Sequence, residues 1–219
     1  MERSVVGSDP TGQPPGIGVL ISGRGSNLQA LIEAIAAGRL RARIAVVIAN
    51  RPDAQGLERA RRAGIEAIAI PHRDFPSRAA FEDALLRELR ARDVRLVCLA
   101  GFMRLVGETF LAAFPNAILN IHPSLLPAFP GVDAQKQAWE HGTKVAGATV
   151  HFVTGELDRG PIVLQRAVAV KDEDTPETLA ARILDIEHEI YPEAVELVLA
   201  GGWTIDGRRF TRTPPDGRR

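Results

Sequence analysis

Short apolar runs alternate with amphipathic stretches along the first half of the chain, and this alternation restricts the fold more than anything else in the sequence. GIGVLIS (16–22), IAVVIAN (44–50), EAIAI (66–70), VRLVCLA (94–100) and AILNI (117–121) are almost free of polar residues. Runs of this length without polar alternation read as strands buried on both faces. Between them the apolar positions recur with a helical period. Leu28, Leu31, Ile32 and Ile35 form one stripe, and Phe81, Leu85, Leu86 and Leu89 form another. Strand, helix and strand repeated in this way predict an α/β fold: right-handed crossovers and a mostly parallel sheet with helices on both faces.

The pattern changes after residue 140. KVAGATVHFV (144–153) and PIVLQRAVAV (161–170) flank the polar TGELDRG segment, which predicts an antiparallel C-terminal strand pair joined by a loop. A last helix is expected to begin at Thr175 as N-cap, with Pro176 at its first position and Glu177 behind it. Its stripe is Leu179, Ile183, Ile186 and Ile190. No repeat, Gly/Ser linker or shift of composition divides the 219 residues, so one domain over 1–219 is expected, with 1–15 and 206–219 as flexible tails. The whole segment after Trp203 is read as loosely held.

Composition narrows the function classes. Lys plus Arg equals Asp plus Glu, 27 against 27, so nothing global favours a nucleic-acid or membrane surface. No apolar run approaches the roughly 20 residues that span a bilayer, and MERSVVGSDPTGQPP has no signal-peptide core. A cytoplasmic location is expected. Cys98 is the only cysteine and sits inside VRLVCLA, which makes it a buried thiol rather than a nucleophile.

Three segments carry chemistry. The first strand runs into SGRGSN (22–27) and then into a helix. Gly23 and Gly25 permit a tight turn, and Ser26 or Asn27 can cap the helix, whose free N–H groups and positive dipole end favour an anion. Leu28 stands where a dinucleotide fingerprint needs its third glycine, so a phosphate site fits better than a dinucleotide site. The same residues also fit a plain turn into a capped helix. GFMRLVG (101–107) follows the fourth strand, and ligands of open α/β sheets sit outside the carboxyl ends of strands. Met103, Leu105 and Val106 either wall a flat ligand or begin a helix.

Asn120 and His122 close the fifth strand, and alternation places them on one face. A lone histidine is more often structural than catalytic, but an amide that donates to a developing oxyanion beside an imidazole that moves protons shifts the balance toward a catalytic pair. Asp158 in GELDRG is the natural carboxylate to orient His122 and fix its tautomer. His72, His141 and His151 are scattered, and no ligand spacing points to a metal. Arg59, Arg61 and Arg62 read as a solvated helix face. Leu126–Pro127 is a candidate cis bond.

In this order, VLISGRGSNLQALI, VIANRPDAQGLERARRAGI, LAGFMRLV, ILNIHPSLLPAFPG, TVHFVTGELDRGPIVLQ and EHEIYP resemble the glycinamide ribonucleotide formyltransferases, the folate-dependent transformylases of purine biosynthesis. The resemblance runs from about Gly16 to Trp203 and implies a Rossmann-like formyltransferase fold. It implies transfer of a formyl group from 10-formyltetrahydrofolate to the amine of 5'-phosphoribosylglycinamide, with small-molecule substrates, no metal, no nucleic-acid or membrane partner, and a monomer or homodimer. It further implies that Gly25, Ser26 and Asn27 hold the phosphate and that Glu187 contacts the glycinamide end. Arg78 and Met103, Arg104, Leu105 and Val106 would then be folate contacts. Asn120 would be the formyl-oxygen donor and a folate contact, His122 the proton-transfer residue, and Asp158 its partner.

One position departs from the family: Asp133 stands where its members often carry histidine. Two neighbouring readings remain, a formyltetrahydrofolate hydrolase and a non-catalytic nucleotide-binding module. Methionyl-tRNA formyltransferase is disfavoured by the neutral charge and by the length of the chain.

Overall fold

The computed structural model describes residues 2–3 and 12–212, with side chains from residue 12 onward. The strands in chain order are β1 (Glu2–Arg3), β2 (Gly16–Ile21), β3 (Arg43–Ala49), β4 (Ala67–Ala69), β5 (Val94–Leu99), β6 (Ile118–His122), β7 (Val145–Phe152), β8 (Ile162–Ala169), β9 (Trp203–Asp206) and β10 (Arg209–Arg212). The α-helices are α1 (Ser26–Ala36), α2 (Gln55–Arg62), α3 (Arg78–Arg90), α4 (Glu108–Ala113), α5 (Ala134–Glu140) and α6 (Pro176–Ala200).

The main sheet has the order β4-β3-β2-β5-β6-β7-β8. The strands from β2 to β6 are parallel; β7 is antiparallel to β6, and β8 to β7. Every residue of β2 is buried, as a strand covered on both faces requires. Helices α1, α2 and α6 pack together in one layer, and α3 packs with α4 in the other. Phe81, Leu85, Leu86 and Leu89 are all buried, whereas in α1 only Leu28 and Leu31 of the expected stripe are; Ile32 and Ile35 lie at its margin. The chain winds outward from β2 to β4 and returns to β5 on the other side of β2. The loops after β2 and β5 therefore diverge at one point, where a crevice opens at the carboxyl edge.

Helix α6 begins as the sequence predicts, with Thr175 and Thr178 forming a reciprocal cap and Pro176 at its first position. Its Tyr191 hydroxyl donates to the carbonyls of Leu99 (2.9 Å) and Leu119 (3.3 Å), tying the end of β5 to the first half of β6. Cys98 is fully buried, and burial pushes its thiol up to about 12, which keeps it inert.

The segment after Trp203 corrects the sequence reading. It is a hairpin of β9 and β10, with β1 paired to the other side of β9, so Glu2–Arg3 and residues 206–212 are not loose tails. The cause is aromatic: Trp203 is buried, and its ring stacks on Phe152 and Phe210 at centroid distances of 5.3 and 5.6 Å. Residues 4–11 and 213–219 lie outside the described residues. No described helix is long and apolar enough to cross a membrane.

Candidate active site

The crevice at the end of β2 is a cleft of about 950 Å³, lined among others by Gly25, Ser26, Asn27, Met103, Arg104 and Glu187. Its floor is knitted by Ser22, whose hydroxyl donates to Asn50 Oδ1 (2.6 Å) and accepts from the Met103 N–H (2.8 Å). One side chain thus joins the ends of β2, β3 and β5. Gly25 has φ +73°, and a Cβ there would lie 2.7 Å from the Gly56 Cα. Only glycine serves both demands. Arg59, far from being only a solvated cation, donates through Nε to the Arg24 carbonyl (2.9 Å) and steadies the same turn.

Neither Ser26 nor Asn27 caps α1. Gly25 occupies the N-cap position, no side chain caps the helix, and its first turn holds no acid. Ser26 is already helical, and the Asn27 amide is committed elsewhere, donating to Glu187 Oε2 at 2.7 Å. The reason is packing: α6 lies along α1 and brings Glu187 against Asn27. The positive end of α1 thereby stays open toward the cleft. Burial raises the Glu187 carboxyl to about 7, and the Asn27 donor partly opposes that rise. The Asn27 Oδ1 is buried with no partner among the described residues.

The other face of β6 is different. Ile121 and Pro123 line the cleft, so alternation turns Asn120 and His122 away from it. His122 Nε2 donates to the Phe129 carbonyl at 2.9 Å, and its Nδ1 lies 3.5 Å from Asp158 Oδ2. The second distance is that of an ion pair rather than a close hydrogen bond. Asp158 adopts a left-handed backbone (φ +52°) and is held by the Gly131 N–H at 2.8 Å. Its loop folds back along β6, which the sequence spacing did not establish.

His151 belongs to this cluster, although its sequence position gave no sign of it. The antiparallel register of β6 and β7 sets it opposite Asn120. Its Nδ1 faces the Phe152 carbonyl (2.8 Å) and must donate, leaving Nε2 to accept from the Asn120 Nδ2 at 3.2 Å. Burial holds the His151 imidazole below its ordinary value, so it stays neutral in that role, with Asp158 Oδ1 3.7 Å away. The Asn120 amide is thereby oriented, with no further side-chain bond among the described residues.

The remaining candidates surround a loop. Residues 101–107 are irregular and α4 begins only at Glu108, so the helix-start alternative fails. Met103 and Leu105 expose 68% and 62% of their surface. Arg78 opens α3 and faces Glu82 at 3.6 Å. Arg78, Leu105 and Val106 do not line the cleft. Asp133 also has a left-handed backbone (φ +56°) at the N-cap of α5, and its side chain makes no cap bond. The Leu126–Pro127 bond is cis.

A mostly parallel sheet with a switch-point cleft and an amide–imidazole–carboxylate cluster at one strand end marks an enzyme of the α/β class. The chain belongs to the formyl transferase family, whose model matches residues 16–195. It is 43% identical over 181 residues to the phosphoribosylglycinamide formyltransferase of Bacillus subtilis, an alignment covering 83% of this chain and 93% of that protein. It is also 47% identical over 187 residues to the trifunctional purine biosynthetic protein adenosine-3 of Drosophila pseudoobscura pseudoobscura, of which it spans 14%. Among solved structures it resembles glycinamide ribonucleotide transformylase 1 from Symbiobacterium toebii. That similarity has a TM-score of 0.90 at 58% identity and covers 91% of this chain and 94% of the other.

Proposed function

We propose that this chain transfers the formyl group of 10-formyltetrahydrofolate to the amine of 5'-phosphoribosylglycinamide, giving 5'-phosphoribosyl-N-formylglycinamide and tetrahydrofolate. The observation that carries the reading is the two-faced end of β6. A cleft with an open helix terminus lies on the Ile121 side, and Asn120, His122 and Asp158 meet on the other. In this reading the phosphate sits on the N–H groups of Gly25–Asn27, and Glu187 faces the glycinamide end. The folate lies against Arg78 and the 103–106 segment.

The amine attacks the formyl carbon from the cleft side. A C–N bond forms, and negative charge collects on the formyl oxygen. The Asn120 amide N–H and a protonated His122 stabilise that oxygen. As the bond from carbon to folate N10 breaks, N10 gains a proton and the new amide nitrogen loses one. No covalent enzyme intermediate is needed. The test is to mix the protein with 10-formyltetrahydrofolate, with and without the ribonucleotide, and follow deformylated folate. Release should require the ribonucleotide; equal release without it would replace this reading with hydrolysis.

A further inference from the structure

We propose that Glu82 is a positioning residue of the donor site, acting through the 103–107 loop rather than on a reacting atom. The inference rests on the reading of Arg78 and Met103–Val106 as the folate surface. Glu82 is 3% exposed, a rare environment for a carboxylate. Such burial costs free energy unless the oxygens are bonded. Two groups answer it. The Gly107 N–H donates to Oε1 at 2.7 Å, and the Arg78 guanidinium lies 3.6 Å from the same oxygen.

Both partners belong to the donor surface. Gly107 closes the loop that carries Met103 and Leu105, and Arg78 is the cation beside it. The far end of the loop is fixed by the Met103 N–H bond to Ser22 Oγ at 2.8 Å. Between these two pins the backbone has neither helix nor strand; Val106 packs against the core, while Met103 and Leu105 stay exposed and take their direction from the backbone that the pins hold. The fit at Gly107 is close as well. A Cβ there would lie 2.9 Å from Glu82 Oε2 and 3.1 Å from Arg78 Nη2. One buried carboxylate therefore sets the loop and the cation in a common frame.

Steady-state kinetics on Glu82→Ala, Glu82→Gln and Gly107→Ala test this. Loss of a hydrogen bond to a charged group corresponds to a rise in the donor KM of about tenfold or more for Glu82→Ala. The ribonucleotide KM should stay within about twofold and kcat should fall less than the donor KM rises. Glu82→Gln keeps an acceptor for Gly107 but loses the partner of Arg78, so its effect should be smaller. Gly107→Ala presses on the same carboxylate from the loop side, at a backbone (φ −92°) that alanine tolerates, and should give the same donor-selective rise. It also decides the matter if Glu82→Ala does not fold. Equal rises in both KM values, or an unchanged donor KM in folded variants, would overturn the proposal. Direct titration with tetrahydrofolate keeps the two levels apart. Binding to the wild type that weakens in the variants supports Glu82, and binding equal in both sinks Glu82 alone. No binding to the wild type removes the folate reading and Glu82 together.

Discussion

The two faces of the β6 carboxyl end are built by different means. On the Ile121 side the anion end of the cleft is built mainly of backbone: a left-handed glycine, the uncapped start of α1, and turns tied by main-chain bonds such as Gly56 N–H to the Gly23 carbonyl at 3.0 Å, with Ser22 and Glu187 as its side-chain supports. On the Asn120 side the surface is made of side chains that fix one another, with His151 orienting Asn120 and Asp158 facing His122. Backbone sites hold a ligand without taking part in proton transfer, whereas side-chain clusters move protons and stabilise charge. The contrast implies that substitutions on the first face appear in KM and those on the second in kcat.

The largest effect should come from the reacting face. Asp158→Asn keeps the shape of the carboxylate but removes the charge that faces His122. Turnover should fall by about 10²–10⁴, the range for losing an acid–base arrangement. Both KM values should change far less. Asp158→Asn placed in a His122→Ala background should cost little more, because the carboxylate works through the ring. Losses that multiply in the double variant would show that Asp158 acts independently, and the side-chain half of the contrast would collapse.

On the holding face the sharpest lever is Gly25. Gly25→Ala forces a left-handed residue to carry a Cβ that meets the Gly56 Cα at 2.7 Å, with no flexible side chain to yield. The strain is on the order of 1–3 kcal/mol, so the ribonucleotide KM should rise roughly tenfold or more. The donor KM should move much less. Parallel loss of both affinities would mean that the turn supports the fold rather than a phosphate.

The same contrast explains what the sequence disclosed. A backbone site requires particular residue types at adjacent positions, so Gly25, Ser26 and Asn27 could be found by reading along the chain. Asn120 and His122 were visible because two residues two apart on one strand must share a face. Asp158 was only a plausible partner, since nothing in spacing says that its loop returns along β6. His151 looks isolated in the sequence because antiparallel register, which places it opposite Asn120, is a property of two strands and not of one. The uncapped start of α1 is hidden for a similar reason: the competitor for Asn27, Glu187, lies 160 positions away. The final hairpin was hidden by an Arg-rich composition that outweighed two aromatic residues, Trp203 and Phe210, whose partner Phe152 lies on a distant strand.

The smallest and most discriminating effect concerns Glu187, where the holding face carries an ionisable group. Burial raises this carboxyl from 4.5 to about 7, so the folded chain prefers it protonated. Its contribution to stability is therefore complete below about 4.5 and is lost as pH rises through about 7. Above that, the buried charge should oppose folding by on the order of 1–3 kcal/mol. Glu187→Gln keeps the shape and still offers Asn27 an acceptor, so the variant should be the more stable protein at pH 8, with the advantage fading toward pH 4.5. Urea midpoints across that range measure it. If Glu187 also meets the glycinamide amine, the wild type should bind the ribonucleotide a few-fold better as the carboxylate forms, and the variant should lack that step. Titration of the amine itself is common to both proteins and cancels in the comparison. A pH slope in ribonucleotide KM that is identical in both would confine Glu187 to holding Asn27 and leave the holding face without an ionisable contact to its substrate.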